Sequence, residues 1–197
     1  MKRVGLIFLA VVLFISSAFV IVSETTWTND KPHSQLAFTV THLGFNDIAG
    51  TFDDFTTTVK ASKPDFSDAT FNMAAKIGSI NTRVEARNNH LKSADFFDAE
   101  KCPELTFTST GLKSVGKNKF KLTGNLTLHG VTKVVTVDLL YRGQTTNPMT
   151  QKLTSAFQIT GTIKRSDFGI GEKFPEAVIS NEVRISANGE FVQADKQ

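Results

Sequence analysis

The sequence predicts an all-β domain, an antiparallel sheet of eight strands with one helix inserted between strands three and four. Most of the chain alternates apolar and polar residues with a period of two, which places successive side chains on opposite faces of a strand. Short Gly, Asn, Asp and Pro clusters separate these runs, as hairpin turns require. Only the stretch from Ser79 to Phe107 breaks the alternation with a helical spacing.

Asp30-Lys31-Pro32-His33-Ser34 reads as a turn leading into the first strand, Gln35 to His42, where Leu36, Phe38 and Val40 alternate with Gln35, Ala37 and Thr39. His42 to Asp47 closes it, with Gly44 as permissive backbone. The second strand, Thr51 to Lys60, carries Phe55, Thr57 and Val59 on one side, and an irregularity at Asp53-Asp54 displaces Phe52 to the other. Lys63-Pro64-Asp65 is a turn signal. Ala69, Phe71, Met73, Ala75 and Ile77 then form one face of the third strand.

The helical stretch follows. Thr82 with Glu85 three residues on is a capping-box signature, so a helix is expected from Thr82 to about Ser93. Val84, Arg87, Leu91 and Ala94 lie near one face, and Val84 and Leu91 are expected to pack on the sheet. Arg87 on that face has two readings: a structural ion pair or snorkelling side chain, or a polar anchor for a ligand head group.

After Pro103, Leu105, Phe107 and Ser109 share one face of the fourth strand, and Gly116 to Lys119 turns the chain. Phe120, Leu122, Gly124, Leu126 and Leu128 share one parity of the fifth strand, which ends in a His129-Gly130 hairpin. Val135, Val137, Leu139 and Tyr141 mark the sixth, ended by Thr145 to Pro148, and Leu153 to Ile163 the seventh. In Lys164 to Gly171 two glycines flank Ile170; a phosphate cradle is one reading, but the spacing fits neither a Walker motif nor a dinucleotide fingerprint. Pro175 to Ser180 suits one helical turn, and Val183 to Phe191 is the last strand.

Composition narrows the function. Seventeen Phe against one Trp and one Tyr suit a wholly apolar interior, either an ordinary core or a lined cavity. Lys2 and Arg3 precede an uncharged run from Val4 to Val22, the pattern of an export signal over residues 1–23; an uncleaved membrane anchor is the alternative. Removing Lys2 and Arg3 from the 22 basic residues leaves 20 against 19 acidic ones, a charge of +1. Without a basic stripe, nucleic-acid binding has no electrostatic support. Cys102 is the sole cysteine, which excludes an intramolecular disulfide and a Cys-rich metal site. There is no His-Glu-x-x-His and no Gly-x-Ser-x-Gly, and His33 and His42, nine apart, would face opposite sides of one regular strand.

Closing eight strands into a barrel removes exposed edges and is the smallest size that encloses a ligand, although a sandwich uses the same alternation. Polar faces bearing Lys76, Lys121, Asp138 and Arg184 are costly against lipid, which argues against an outer-membrane barrel.

An ordered set of short motifs runs through the chain: His33-Ser34 with Phe38, His42-Leu43-Gly44, Gly50-Thr51-Phe52, Ser79 to Thr82, Arg87 to Leu91, Asp95 to Asp98, Pro103 with Phe107, Gly124 to Thr132, and Arg165 with Asp167-Phe168-Gly169. This set resembles the YceI-like family over nearly all of residues 24–197. The resemblance implies a lipocalin-like eight-stranded barrel, exported to the periplasm, that holds a polyisoprenoid, an isoprenoid quinone or a similar long-chain amphiphile. The absent catalytic spacings argue against an enzyme, and no cofactor is expected beyond such a lipid; an extracytoplasmic enzyme and a structural β-domain are the alternatives. One departure is that Arg87-Asn88 stands where the family pattern has Arg-Asp, so a charge pair there is not expected. Phe38, Phe71, Phe107, Leu126, Phe157 and Phe168 are the expected channel lining, and Arg87, His90 and Arg165 the expected partners of the ligand's polar end. The competing account pairs Arg87 and Arg165 with acids such as Asp95 or Asp167.

Overall fold

The computed structural model describes residues 23–194; residues 1–22, with the apolar run of the expected export signal, lie outside it. The strands are β1 (Thr25–His42), β2 (Asn46–Phe52), β3 (Phe55–Ala61), β4 (Thr70–Lys76), β5 (Ile80–Asn81), β6 (Glu104–Gly116), β7 (Lys119–Leu128), β8 (Val131–Thr146), β9 (Leu153–Lys164) and β10 (Glu182–Gln193), with helix α1 (Glu85–Lys92) between β5 and β6.

All pairings are antiparallel, and β1 closes the ring. One edge of β1 pairs with β10; the other pairs with β3 through Thr25 to Thr28 and with β2 through Ala37 to His42. Segments β2 and β3 are one strand interrupted at Asp53 and Asp54, where the sequence anticipates an irregularity, but the two-residue interruption keeps Phe52 on the interior face with Phe55 instead of displacing it to the other. Counted together they leave eight walls, so the fold is a closed eight-stranded barrel, with β5 a two-residue addition to the end of β2. The helix therefore follows β5 rather than springing directly from the third wall.

The sequence reading fails at the first turn. Asp30 to Ser34 is a bulge inside β1, because β10 pairs on both sides of it, at Asn29 opposite Phe191 and at Ser34 opposite Gly189. At the other edge of β1, just past its last pair with β3, the buried Asn29 Oδ1 accepts the Thr57 N–H at 2.7 Å, in place of a backbone partner.

The apolar parity of each strand faces inward and forms two clusters, stacked along the barrel. The lower one holds Trp27, Phe66, Phe71, Tyr141, Phe157 and Phe191, all at most 9% exposed. Phe157 meets Phe66, Phe71, Tyr141 and Phe191 with centroids 5.0–5.5 Å apart, mostly edge to face, as ring quadrupoles favour. Phe66 comes from the β3–β4 connection, a stretch that reads as polar turn, and enters the barrel as a plug. Asp68 holds that connection by accepting the Ser62 and Lys63 N–H groups.

The upper cluster gathers Phe52, Leu105, Leu126, Leu128, Phe96 and Phe168. Two large rings lie over the neighbouring strands, where glycines leave room for them. A Cβ on Gly50 would lie 2.4 Å from Phe38 Cζ, and one on Gly124 would lie 2.4 Å from Phe107 Cζ.

The helix departs from the expected capping box. Its N-cap is Val84, with no side-chain cap, and Val84 is 46% exposed rather than packed on the barrel. Thr82 instead donates through its N–H and Oγ1 to Asn88 Oδ1 at 2.7 and 2.6 Å. An amide oxygen accepts both bonds, so no carboxylate is required at position 88. No residue of α1 is buried, so the segment is held by its ends and by Leu91.

Candidate functional site

The upper half of the barrel contains a cavity of about 420 Å³. Its walls are apolar: Leu36, Phe38 and Val40 of β1, Leu126 and Leu128 of β7, Ile163 of β9, and Val183 and Ile185 of β10. Met73 of β4 and Leu105 of β6 complete the opposite side. Over the top lie Arg87, His90 and Leu91 of α1, Phe96 and Phe97 behind it, and Ile170, Phe174 and Ile179 of the β9–β10 connection.

That cover is tied down from three directions. The Phe96 and Phe174 rings stack at 4.9 Å with planes 19° apart, and the His90 ring meets both edge-on at 5.0 and 5.6 Å. Asp95 accepts Lys173 Nζ at 2.6 Å and lies 3.3 Å from His90 Nε2. The bond from Lys173, with a smaller contribution from His90, holds the Asp95 carboxyl below its ordinary pKa. Backbone bonds from Leu43 to Val178 and from Ser180 to Thr41 fasten the connection to the end of β1.

Arg165 is the tie from beneath. It is 8% exposed, and its guanidinium donates to five backbone carbonyls: Nε to Ser180 at 3.2 Å, Nη1 to Ile170 and Gly171 at 3.0 and 2.7 Å, and Nη2 to Phe174 and Ile179 at 2.6 and 3.1 Å. A guanidinium has five N–H groups, so none is left over. The Gly-flanked loop is thus wrapped on an arginine rather than shaped for a phosphate; its glycines, Gly169 and Gly171, sit at φ 66° and 63°.

Arg87 differs. Its Nε donates to Thr82 Oγ1 at 2.8 Å and Nη2 to the Thr82 carbonyl at 2.7 Å. Three of its five N–H groups remain without a protein partner among the described residues, and no carboxylate pairs with it there. Neither arginine, then, follows the acid-pairing account: Asp95 is engaged by Lys173 and His90.

Of the residues the sequence singles out, Phe38, Leu126, Arg87, His90 and Arg165 line this cavity. Phe107 packs against both clusters, at the boundary between the halves. Phe168 is 1% exposed in the upper cluster, behind the lining. Phe71 and Phe157 do not line it: they belong to the closed lower cluster, because apolar parity reports an inward direction but not a height along the barrel. The residues missed are those of the cover, Phe96, Phe97 and Phe174, which no strand periodicity marks.

Outside the cavity, Asp30, His33 and Glu190 bring possible metal-ligand atoms within 4.8 Å of one another at the β1 bulge. His33 Nδ1 is bound to Asp30 Oδ2 at 2.8 Å, and this bond, with the charges of Asp30 and Glu190, raises the His33 pKa above its ordinary 6.5. Cys102 is half-buried, with its sulfur beside Gly130.

Comparison with known proteins agrees with this architecture. UPF0312 proteins of Staphylococcus aureus, including those of strains N315 and MW2, are 36% identical over 173 residues, covering 85% of this chain and 97% of theirs. Among solved structures, Burkholderia cenocepacia BcnA superposes with a TM-score of 0.74 at 25% identity, covering 85% of this chain and 99% of that one. A Campylobacter jejuni YCEI protein gives 0.71 at 30% identity, covering 80% and 90%. A polyisoprenoid binding domain from Saccharophagus degradans shares the fold at 0.65 and 18% identity, covering 86% and 98%. The YceI-like domain matches residues 27–191, from Trp27 in the lower cluster to Phe191 within β10, and the chain belongs to that family.

Proposed function

We propose that this protein is an exported, non-catalytic carrier that holds a polyisoprenoid, a quinone or a similar long-chain amphiphile in the upper cavity, for transport, storage or sequestration. The observation that carries the reading is a cavity walled by aliphatic and phenyl side chains with one partly unspent cation, Arg87, at its covered end. Burying apolar chain contributes about 0.8 kcal/mol per methylene, so about ten methylenes supply roughly 8 kcal/mol, a Kd on the order of 1 μM before the costs of association. A polar head left inside without a partner costs about 2–7 kcal/mol, and the free Arg87 donors offer that partner. Arg165 has no donor to give, so in this reading it shapes the cover and leaves the head group to Arg87 and His90. The ligand class also draws support from the Saccharophagus degradans protein of the same fold, described as a polyisoprenoid binding domain.

The test is organic extraction of the purified protein followed by mass spectrometry. The expected result is one class of amphiphile with an apolar tail, retained less well by Arg87→Met when its head group accepts hydrogen bonds. A protein that carries no lipid after purification and takes none up afterwards would overturn the reading.

A further inference from the structure

We infer that the amphiphile enters and leaves through the side of the barrel, at a seam where β1 and the interrupted β2–β3 wall are not laddered together, and not under the cover. This inference rests on the carrier reading and adds the route by which the upper cavity exchanges its ligand.

The seam is an unpaired stretch of wall. β1 pairs with β3 from Thr25 to Thr28 and with β2 from Ala37 to His42, and residues 29–36 between them pair with neither. Opposite this stretch stands the break at Asp53 and Asp54. The bulge of β1 thus faces the break between β2 and β3, and neither offers the other a regular edge. Among the described residues two side-chain bonds span the seam: the Thr57 N–H to Asn29 Oδ1 at its lower end, and Lys31 Nζ to Asp54 Oδ1 at 3.0 Å across its outside. The second is an ion pair whose side chains are 61% and 55% exposed.

A cavity of about 470 Å³ opens at this seam. Leu36, Ala37 and Phe52 line it and the upper cavity alike, so these residues are the partition between the two spaces. The lining is graded. Leu36, Phe52 and Phe55 belong to the upper cluster or pack on it, whereas Gln35, Asp53, Asn81 and Arg83 are exposed. An amphiphile passing tail first crosses apolar side chains into the upper cavity while its head still meets polar ones.

Opening the cover costs more. Lifting it separates the stacked Phe96 and Phe174 rings, the Lys173–Asp95 pair, and the backbone bonds from Leu43 to Val178 and from Ser180 to Thr41. It also pulls on the carbonyls that Arg165 holds, two of them through wholly buried bonds. Opening the seam breaks one exposed ion pair and turns Leu36 and Phe52 aside, with the ladders above and below left intact. Exposed pairs contribute little, whereas buried bonds left unmade are costly, so local opening favours the seam.

The experiment follows release of cis-parinarate, a fluorescent long-chain acid, from the delipidated and reloaded protein by stopped flow, with excess oleate to fill vacated sites. In a Cys102→Ser background, Lys31→Cys with Asp54→Cys is bridged by bis-maleimidoethane across the seam, and Asp95→Cys with Lys173→Cys is bridged across the cover. The seam bridge is expected to slow release and uptake by the same factor, so that equilibrium affinity holds, and the cover bridge to slow them less. Lys31→Glu, which sets like charges across the seam, is expected to speed both by about two- to fivefold, and it decides alone should a bridged protein not fold. A cover bridge that slows exchange as much as the seam bridge, or more, would overturn the inference while leaving the carrier reading intact. So would rates unmoved by the seam bridge, or by Lys31→Glu, in protein that folds and binds. An unaltered protein that does not bind cis-parinarate at all would overturn the carrier reading, and the side route with it.

Discussion

Replacing Arg165 by Met keeps the apolar stem and removes the guanidinium, so it isolates the five carbonyl contacts from the packing. Two of those bonds, to Ile170 and Gly171, are wholly buried; the three to Ser180, Phe174 and Ile179 are partly buried. The partly buried carbonyls regain water when the arginine leaves. The two buried ones do not, and each orphaned group costs about 1–3 kcal/mol, for a total of about 2–6 kcal/mol. At a central ~4 kcal/mol, and a shift of ~2–4 °C per kcal/mol for a chain of this length, Tm falls by about 8–16 °C. Arg165→Lys, with three donors on one nitrogen, spans only part of the set and recovers about half of the loss. Differential scanning calorimetry reads the first quantity, and lipid content of the folded fraction the second, which is expected to stay unchanged. A Tm within about 3 °C of the parent would show that water or a backbone shift satisfies the carbonyls. An unchanged Tm with lipid lost would make Arg165 a head-group ligand instead of the post on which the cover is wound.

Phe157→Ala is expected to cost about 3–5 kcal/mol by denaturant unfolding, since it removes the ring at the centre of the lower cluster, without changing which lipid is retained. Phe38→Ala, on the half-buried cavity wall, is expected to cost less and to alter retention; the reverse pattern would exchange the roles of the two halves. The His33–Asp30 pair predicts a pH effect of definite sign. Because the folded pKa of His33 is raised, its contribution is full below 6.5 and lost as pH rises through the folded value. The histidine ring titration by NMR and unfolding midpoints on either side of neutrality check this, and Asp30→Asn is expected to lower the ring's pKa toward its ordinary value, with the Glu190 charge still raising it. Asp47 and Asp95 act at the other end: their depressed pKa values give a contribution present above 3.8 and lost as pH falls below it.

The all-β class, the strand count and, apart from Phe52, the inward faces were legible from the sequence, because a period of two is a local property that each strand declares by itself. The break at Asp53-Asp54 and the His129-Gly130 hairpin were legible for the same reason, and the hairpin has both residues at positive φ, 51° and 73°, as a tight primed turn demands. The motif set carried the family and with it closure, which periodicity left open between barrel and sandwich. What the tertiary structure alone decided is where along the bore each inward residue sits. Phe38 and Phe157 obey the same alternation, yet one walls a cavity and the other fills the plug, because height depends on strand stagger and on Phe66 folding in from a polar turn. The arginines divide in the same way: side by side in the sequence reading, Arg165 is saturated by carbonyls from a connection that wraps around it, while Arg87, among the described residues, donates to Thr82 alone and keeps donors free. Which partners reach a guanidinium is settled by segments distant in the chain, and no window of sequence contains them.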